Sequence, residues 1–167
     1  FGDSSLLFDG TGDYLEIGEK ADWKFLHDGT TDYTVEFMMY CRGVTGSDGY
    51  SRIFATAGTS NVPGMNLSLN SNRGIYTGIS SGSGNTHINS YLDTDAFTLN
   101  TWHHVAVVYT KQPVELKLYV DGMLIYTGQE QNAPVTSDPY TTLLIGRLKR
   151  DDDASKTYYF NGYLQNF

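Results

Sequence analysis

The stretch TWHHVAVVYTKQPVELKLYVDGMLIYTG, residues 101–128, constrains the fold most, because it reads as three consecutive strands joined by short turns with nothing helical between them. The second and third strands meet at Asp121-Gly122, a pair that tolerates positive φ at both central positions and so closes a two-residue type I′ hairpin. Such a turn sets the register. It is expected to place Val120 opposite Met123, Leu118 opposite Ile125 and Leu116 opposite Thr127 on a mostly apolar face, with Lys117, Tyr119, Leu124 and Tyr126 on a half-wet one. Hairpins with one apolar face bury it against a second sheet, so the pattern predicts an antiparallel β-sandwich.

The rest of the chain agrees. Alternating apolar patterns predict about twelve strands, near residues 5–8, 13–17, 32–41, 51–57, 64–69, 73–80, 86–91, 102–110, 114–121, 123–128, 141–147 and 157–166. Segments rich in Gly, Asn, Ser and Asp separate them, and residues 21–26 are expected to form a short helical turn with Trp23 and Phe25 as apolar anchors. The strongest apolar positions, Leu7, Val35, Phe37, Trp102, Val105, Val107, Leu116, Leu118 and Leu144, are expected in the core. A chain of 167 residues can bury one sizeable core, and residues 1–167 are read as a single domain.

Charge and cysteine content narrow the function classes. A formal net charge of −8 argues against a nucleic-acid backbone or an anionic membrane as main partner, since both need a positive footprint, and no apolar run is long enough for membrane insertion. The single cysteine, Cys41, alternates with Tyr33, Val35, Phe37 and Met39 and reads as a buried small hydrophobe rather than a nucleophile. The start at Phe1-Gly2 reads as a processed or excised piece.

Trp102-His103-His104-Val105-Ala106-Val107 followed by Leu118-Tyr119-Val120-Asp121-Gly122 resembles the core signature of laminin-G-like, concanavalin A-like jelly rolls. Ser5-Leu6-Leu7-Phe8-Asp9-Gly10, Asp13-Tyr14-Leu15-Glu16-Ile17, Asp32-Tyr33-Thr34-Val35-Glu36-Phe37, Leu144-Ile145-Gly146-Arg147 and Phe160-Asn161-Gly162-Tyr163-Leu164 extend the resemblance, in order, over nearly the whole chain. It implies an all-β fold, a two-sheet antiparallel jelly-roll sandwich. It also implies a closing strand running on beyond Gly162-Tyr163-Leu164, so the chain is expected to be one module of a longer polypeptide. Members of this group bind sugars, proteins or lipids or hold assemblies together, and fold alone does not choose among these.

The side chains present separate the possible roles. The laminarinase-like members carry Glu-x-Asp-x-x-Glu on one strand, which places two carboxylates across a glycosidic bond; this chain has no such run, and no enzyme is expected. His103 and His104 are adjacent and point to opposite faces of a strand, which suits sheet packing and not a shared metal or a triad. Calcium is the metal the loops could take, through Asp48 beside Gly46 and Gly49 or through Asp151, Asp152 and Asp153, with solvated acidic turns as the other reading; many relatives bind calcium on loops, although Gln165 stands where the family often has an acidic residue.

Ligand binding is expected of aromatic and amide groups, because sugars present flat C–H faces and hydroxyls. The candidates are Tyr50, Arg52, Asn66, Tyr76, Asn85, His87, Asn89, Tyr91 and Tyr140. Asn66-Leu67-Ser68 also matches a glycosylation sequon, but on an expected strand. The reading is therefore a non-catalytic, carbohydrate-binding or adhesion module for a glycan or other cell-surface ligand, extracellular or on a particle surface. The alternative is a structural interaction module of a virion, fibre or appendage, contacting neighbouring protein subunits; a glycosidase-like enzyme is the weaker alternative. An exposed groove of Tyr with convergent Asn and Asp separates the first from a broad apolar contact, which marks the second.

Overall fold

The computed structural model describes residues 4–46, 49–57, 61–149, 156 and 158–167. Among them run twelve strands: β1 (Leu6–Asp9), β2 (Leu15–Ile17), β3 (Tyr33–Cys41), β4 (Tyr50–Ala55), β5 (Pro63–Asn70), β6 (Arg73–Gly82), β7 (Asn85–Thr94), β8 (Trp102–Lys111), β9 (Val114–Val120), β10 (Met123–Gln129), β11 (Leu143–Ile145) and β12 (Asn161–Gln165). A short 3₁₀ helix spans Lys20–Leu26, where the helical turn was expected, and Trp23 and Phe25 lean on the core. The strands form two antiparallel six-stranded sheets, ordered β1-β12-β3-β8-β9-β10 and β2-β11-β4-β5-β6-β7. The interior lies between them, with Phe37, Met39, Val105, Val107 and Leu118 of the first sheet packed among Ile53, Met65, Leu67, Leu69 and Ile75 of the second.

Strand parity decides two expectations the other way. On β8 the inward positions are His103, Val105, Val107 and Tyr109, all buried, so Trp102 faces outward and is 40% exposed. Cross-strand pairing makes Leu7, Tyr163, Tyr40 and Trp102 neighbours in one outer row, which also puts Leu7 outside, while Phe8 turns inward. Of the other expected core positions Phe37, Val105, Val107, Leu116, Leu118 and Leu144 are buried and Val35 is half-buried against the core. Cys41 is buried as expected; burial pushes its thiol up to about 11, against the hydrogen bond with the Gly43 backbone.

The hairpin closes as its sequence demands, with φ of 51° at Asp121 and 76° at Gly122 and Val120 paired with Met123. Beyond it the expected register fails. A bulge at Ile125 shifts the pairing, so Tyr126 faces Leu118, Thr127 faces Lys117 and Gly128 faces Leu116. That one-residue slip brings Gly128 onto the second sheet, where an added Cβ would collide with the Asn89 carbonyl oxygen. Ser90 Oγ donates to the Tyr126 carbonyl at 3.2 Å, and β10 thereby closes one flank of the sandwich on β7.

Candidate functional site

The outer face of the second sheet is set by alternation. With Met65, Leu67, Leu69, Ile75 and Ile79 pointing inward, the pairs Arg52↔Ser68, Ser68↔Tyr76 and Tyr76↔Tyr91 form one outward row, and Asn66↔Gly78 and Gly78↔Asn89 form the next. Six of the nine ligand candidates, Tyr50, Arg52, Asn66, Tyr76, Asn89 and Tyr91, therefore share this face. Gly78 makes the arrangement possible. A Cβ there would lie 2.5 Å from Tyr76 Oη, so the tyrosine ring lies across the glycine, flat along the sheet, and its hydroxyl hydrogen-bonds the Asn89 side chain. Burial pushes the Tyr76 phenol up, partly offset by that bond and by Arg52.

Three tyrosines then run toward the closed flank. Tyr76 and Tyr91 have centroids 6.4 Å apart, and Tyr91 stacks on Tyr126 of β10 at 5.4 Å with 27° between planes. Tyr91 and Tyr126 are both about two-fifths exposed, at 40% and 42%. Polar recesses flank this strip. One, of about 240 Å³, is walled by Tyr50, Arg52, Asn70, Tyr76 and Asp93. The other, of about 470 Å³, is walled by Asn89, Tyr126, Gln129, Glu130 and Gln131, and Gln131 Nε2 donates to Asn89 Oδ1 at 3.1 Å. Arg52 packs its guanidinium 5.3 Å from the Tyr50 ring and 5.0 Å from that of Tyr158.

The remaining candidates lie elsewhere. His87 is buried, its Nε2 3.2 Å from Tyr109 Oη and its Nδ1 bonded to the Asn132 carbonyl, so it offers nothing to a ligand. The cause is local: β6 pairs Ile79 with Ile88 but Ser80 with Thr86, leaving His87 in a bulge that breaks its parity with Asn89 and Tyr91. Asn85 is exposed at the β6–β7 turn, its carbonyl accepting from Ser80 Oγ. Tyr140 belongs to a different recess, with Lys20 stacked on its ring at 5.9 Å. Asn66 sits half-buried in mid-sheet and accepts from Ser68 Oγ at 3.0 Å, a poor place for a glycosylation sequon to be read. Sequence reading missed Tyr126, Gln129, Glu130 and Gln131; their place in the site depends on the β10 bulge, which has no local sequence mark.

Asp48, Asp151, Asp152 and Asp153, the candidate calcium ligands, lie outside the described residues, and among the described residues no three His, Cys, Asp or Glu side chains converge as a metal group would need. His103 and His104 split to opposite faces as expected. His103 donates from Nδ1 to Asp121 Oδ2 at 2.7 Å while Nε2 accepts from the Thr98 amide at 3.1 Å, and Asp121 Oδ1 accepts the His104 amide at 2.9 Å. Burial raises the Asp121 carboxyl, but these two bonds and the nearby imidazoles outweigh it and hold it below its ordinary value. This chain of bonds clips the loop before β8 to the β9–β10 turn, and a structural task is all its geometry requires. His104 pairs with Glu36 at 3.3 Å on the other face.

A second surface is apolar. A cleft of about 500 Å³ opens between the sheets on the flank away from β10, lined by Leu6, Leu15, Ile17, Trp23, Val35 and Phe167 among others. Phe167 stacks on Phe37 at 4.9 Å and meets Phe54 edge-on at 5.7 Å.

A family model described as "Concanavalin A-like lectin/glucanases superfamily" and named for a laminin G domain matches residues 9–167. No curated protein matches the chain in sequence. Among solved structures, mouse laminin alpha1 chain domains LG4-5 superpose with a TM-score of 0.65 at 14% identity, over 97% of this chain and 39% of that one, so the chain spans about two-fifths of that laminin piece. The CBM40 of the Ruminococcus gnavus IT-sialidase gives 0.65 at 17% identity, over 92% of this chain and 87% of the other, and its complex with alpha2,3 sialyllactose matches equally well. A heptameric SAP-like pentraxin from Limulus polyphemus follows at 0.57 and 15% identity, over 96% and 72%. At these identities the structural likeness speaks for the fold.

Proposed function

Because the chain belongs to the laminin-G-like family of the concanavalin A-like lectin/glucanase superfamily, we propose that it is a non-catalytic recognition module that binds glycans on the outer face of its second sheet. The observation that carries the reading is the strip Tyr76–Tyr91–Tyr126, whose first ring lies across Gly78 and which is bordered by the amides of Asn66, Asn89 and Gln131. Aromatic faces take the C–H faces of pyranose rings while amides and Arg52 take hydroxyls. Similarity to carbohydrate-binding modules, among them one bound to sialyllactose, supports the class of ligand. The lack of a paired-carboxylate run supports binding without hydrolysis. An extracellular or particle-surface location fits such a module and is part of the proposal.

A glycan array on the isolated domain, followed by calorimetry on any hit, tests it. Alanine at both Tyr76 and Tyr91 is expected to weaken binding about tenfold to hundredfold, from two stacking contacts of about 0.5–1.5 kcal/mol each, with the fold intact. A blank array, or unchanged affinity in the folded double variant, removes the reading. Calcium stays a proposal carried by the sequence of Asp48, Asp151, Asp152 and Asp153 alone: the melting temperature should rise with free calcium, and indifference to calcium and chelator removes the claim.

The apolar cleft with exposed Leu15 and Ile17 favours the second reading, an interaction module docking a neighbouring subunit. Leu15→Ser with Ile17→Ser would then abolish association while leaving glycan binding untouched.

A further inference from the structure

We propose that the recess at the β2–β11 end of the second sheet is an anion subsite that takes the carboxylate or sulfate of an acidic saccharide, an inference that rests on reading this face as glycan-binding. The recess is separate from the tyrosine strip. Leu143 and Ile145 of β11 line the inner apolar cleft, whereas Leu144, paired with Glu16 of β2, lines this recess, so it opens on the outer face. The strand order puts it at one end of the sheet and the strip at the other, with β4 and β5 between. At about 4.8 Å per strand spacing, β11 and β6 lie about 14 Å apart, a reach for a short oligosaccharide.

Charge makes the recess unusual in this molecule. The chain carries 11 Lys and Arg against a net charge of −8, yet Lys20, Arg147 and Lys149 all line one cavity of about 330 Å³. Among the described residues the one carboxylate in the same lining is Glu16, which accepts a hydrogen bond from Thr142 Oγ1 at 2.9 Å. Three cations less one carboxylate give the described lining a formal charge of +2. Among the described residues, none of the three cations forms an ion pair with a carboxylate.

Two of the three cations, Arg147 and Lys20, are held against aromatic rings. Arg147 stacks 4.7 Å from the Tyr14 ring and 5.6 Å from the Tyr159 ring, and Lys20 lies 5.9 Å from that of Tyr140. Stacking occupies the flat face of a guanidinium and none of its five N–H donors, so the planar fork stays available for a bidentate oxyanion. Two flanking ammonium groups add point charge that tolerates either a planar carboxylate or a tetrahedral sulfate. Aromatic walls of this kind also exclude water from one side of the ion, which strengthens the attraction.

The test compares lactose, sialyllactose and sulfated lactose by calorimetry, at low and high salt, on the wild-type domain and on Lys20→Gln with Arg147→Gln. Both acidic sugars should bind about tenfold more tightly than lactose, the gain of one charge-assisted contact. That advantage should shrink at high salt and vanish in the double variant, whose unchanged affinity for lactose shows that it is folded. Equal affinity for the three sugars, or an advantage that survives in the double variant, overturns the subsite while the glycan reading stands. An advantage confined to one acidic sugar supports the subsite and names its group as carboxylate or sulfate. If none of the three sugars binds, the glycan reading fails, and inorganic sulfate followed by NMR decides the recess: saturable shifts of the Arg147 and Lys20 side chains keep an anion site, and their absence overturns it.

Discussion

The outer faces of the two sheets carry the same kinds of residue and differ in what stands between them. On the first sheet Tyr40, Trp102 and Tyr163 lean on one another with centroids 5.6, 5.7 and 6.4 Å apart, Leu7 continues the row, and the charged groups nearby are paired as His104–Glu36 and Lys117–Glu115. Each large side chain there has a large neighbour. On the second sheet Ser68 and Gly78 stand between Arg52, Tyr76, Asn66 and Asn89, so the aromatics lie down and recesses open beside them. Alternation decides which residues face water; the size of the cross-strand neighbour decides whether that face is a wall or a site.

The largest expected effect separates inner from outer aromatics. Phe37, 1% exposed, should cost about 3–5 kcal/mol on truncation to alanine, because the core between two sheets collapses poorly around a lost ring. Trp102→Ala, which a core position would put in the same range, should cost about 1 kcal/mol from its outer row. Urea unfolding giving equal losses would break the distinction between the faces.

Gly78→Ala sharpens it from the second sheet. The new methyl displaces the Tyr76 ring from its flat pose, so glycan affinity should fall about tenfold while unfolding free energy changes by less than about 1 kcal/mol. Alanine at Tyr40 and Tyr163 should leave affinity unchanged; a loss there would move the site to the first sheet.

The paired charges of the first sheet should matter least. Glu36→Gln is expected to cost about 0.5 kcal/mol or less, a difference that high salt erases. Asp121 adds a small acid-side slope. Its folded carboxyl is depressed, so its contribution is fully present above the ordinary value of 3.8 and is lost as pH falls through the lower folded value. Asp121→Asn should flatten thermal stability against pH in that window, and an unchanged slope would show that the His103 clip is not carried by charge.

Much of the site was legible from period-two alternation. Tyr50, Arg52, Asn66, Tyr76, Asn89 and Tyr91 fell on one face because each lies in a strand whose inward partners are clearly apolar. The same rule places Trp102 outside, since Val105 and Val107 have the opposite parity, although a large indole in an apolar run suggests a core position. His87 could not be read that way, because the bulge that turns it inward is a property of how β6 and β7 pair.

Sequence by itself determined the strand pattern, the Asp121-Gly122 turn, the family and the set of aromatic and amide residues available for a ligand, because these follow from local dihedral preference and from which side chains water rejects. Tertiary structure alone decided that Tyr126 joins Tyr91, that Gly128 meets Asn89 and that Lys20, Arg147 and Lys149 share one recess. Those contacts join strands far apart in the chain, and their geometry is set by bulges and sheet closure that no local pattern encodes.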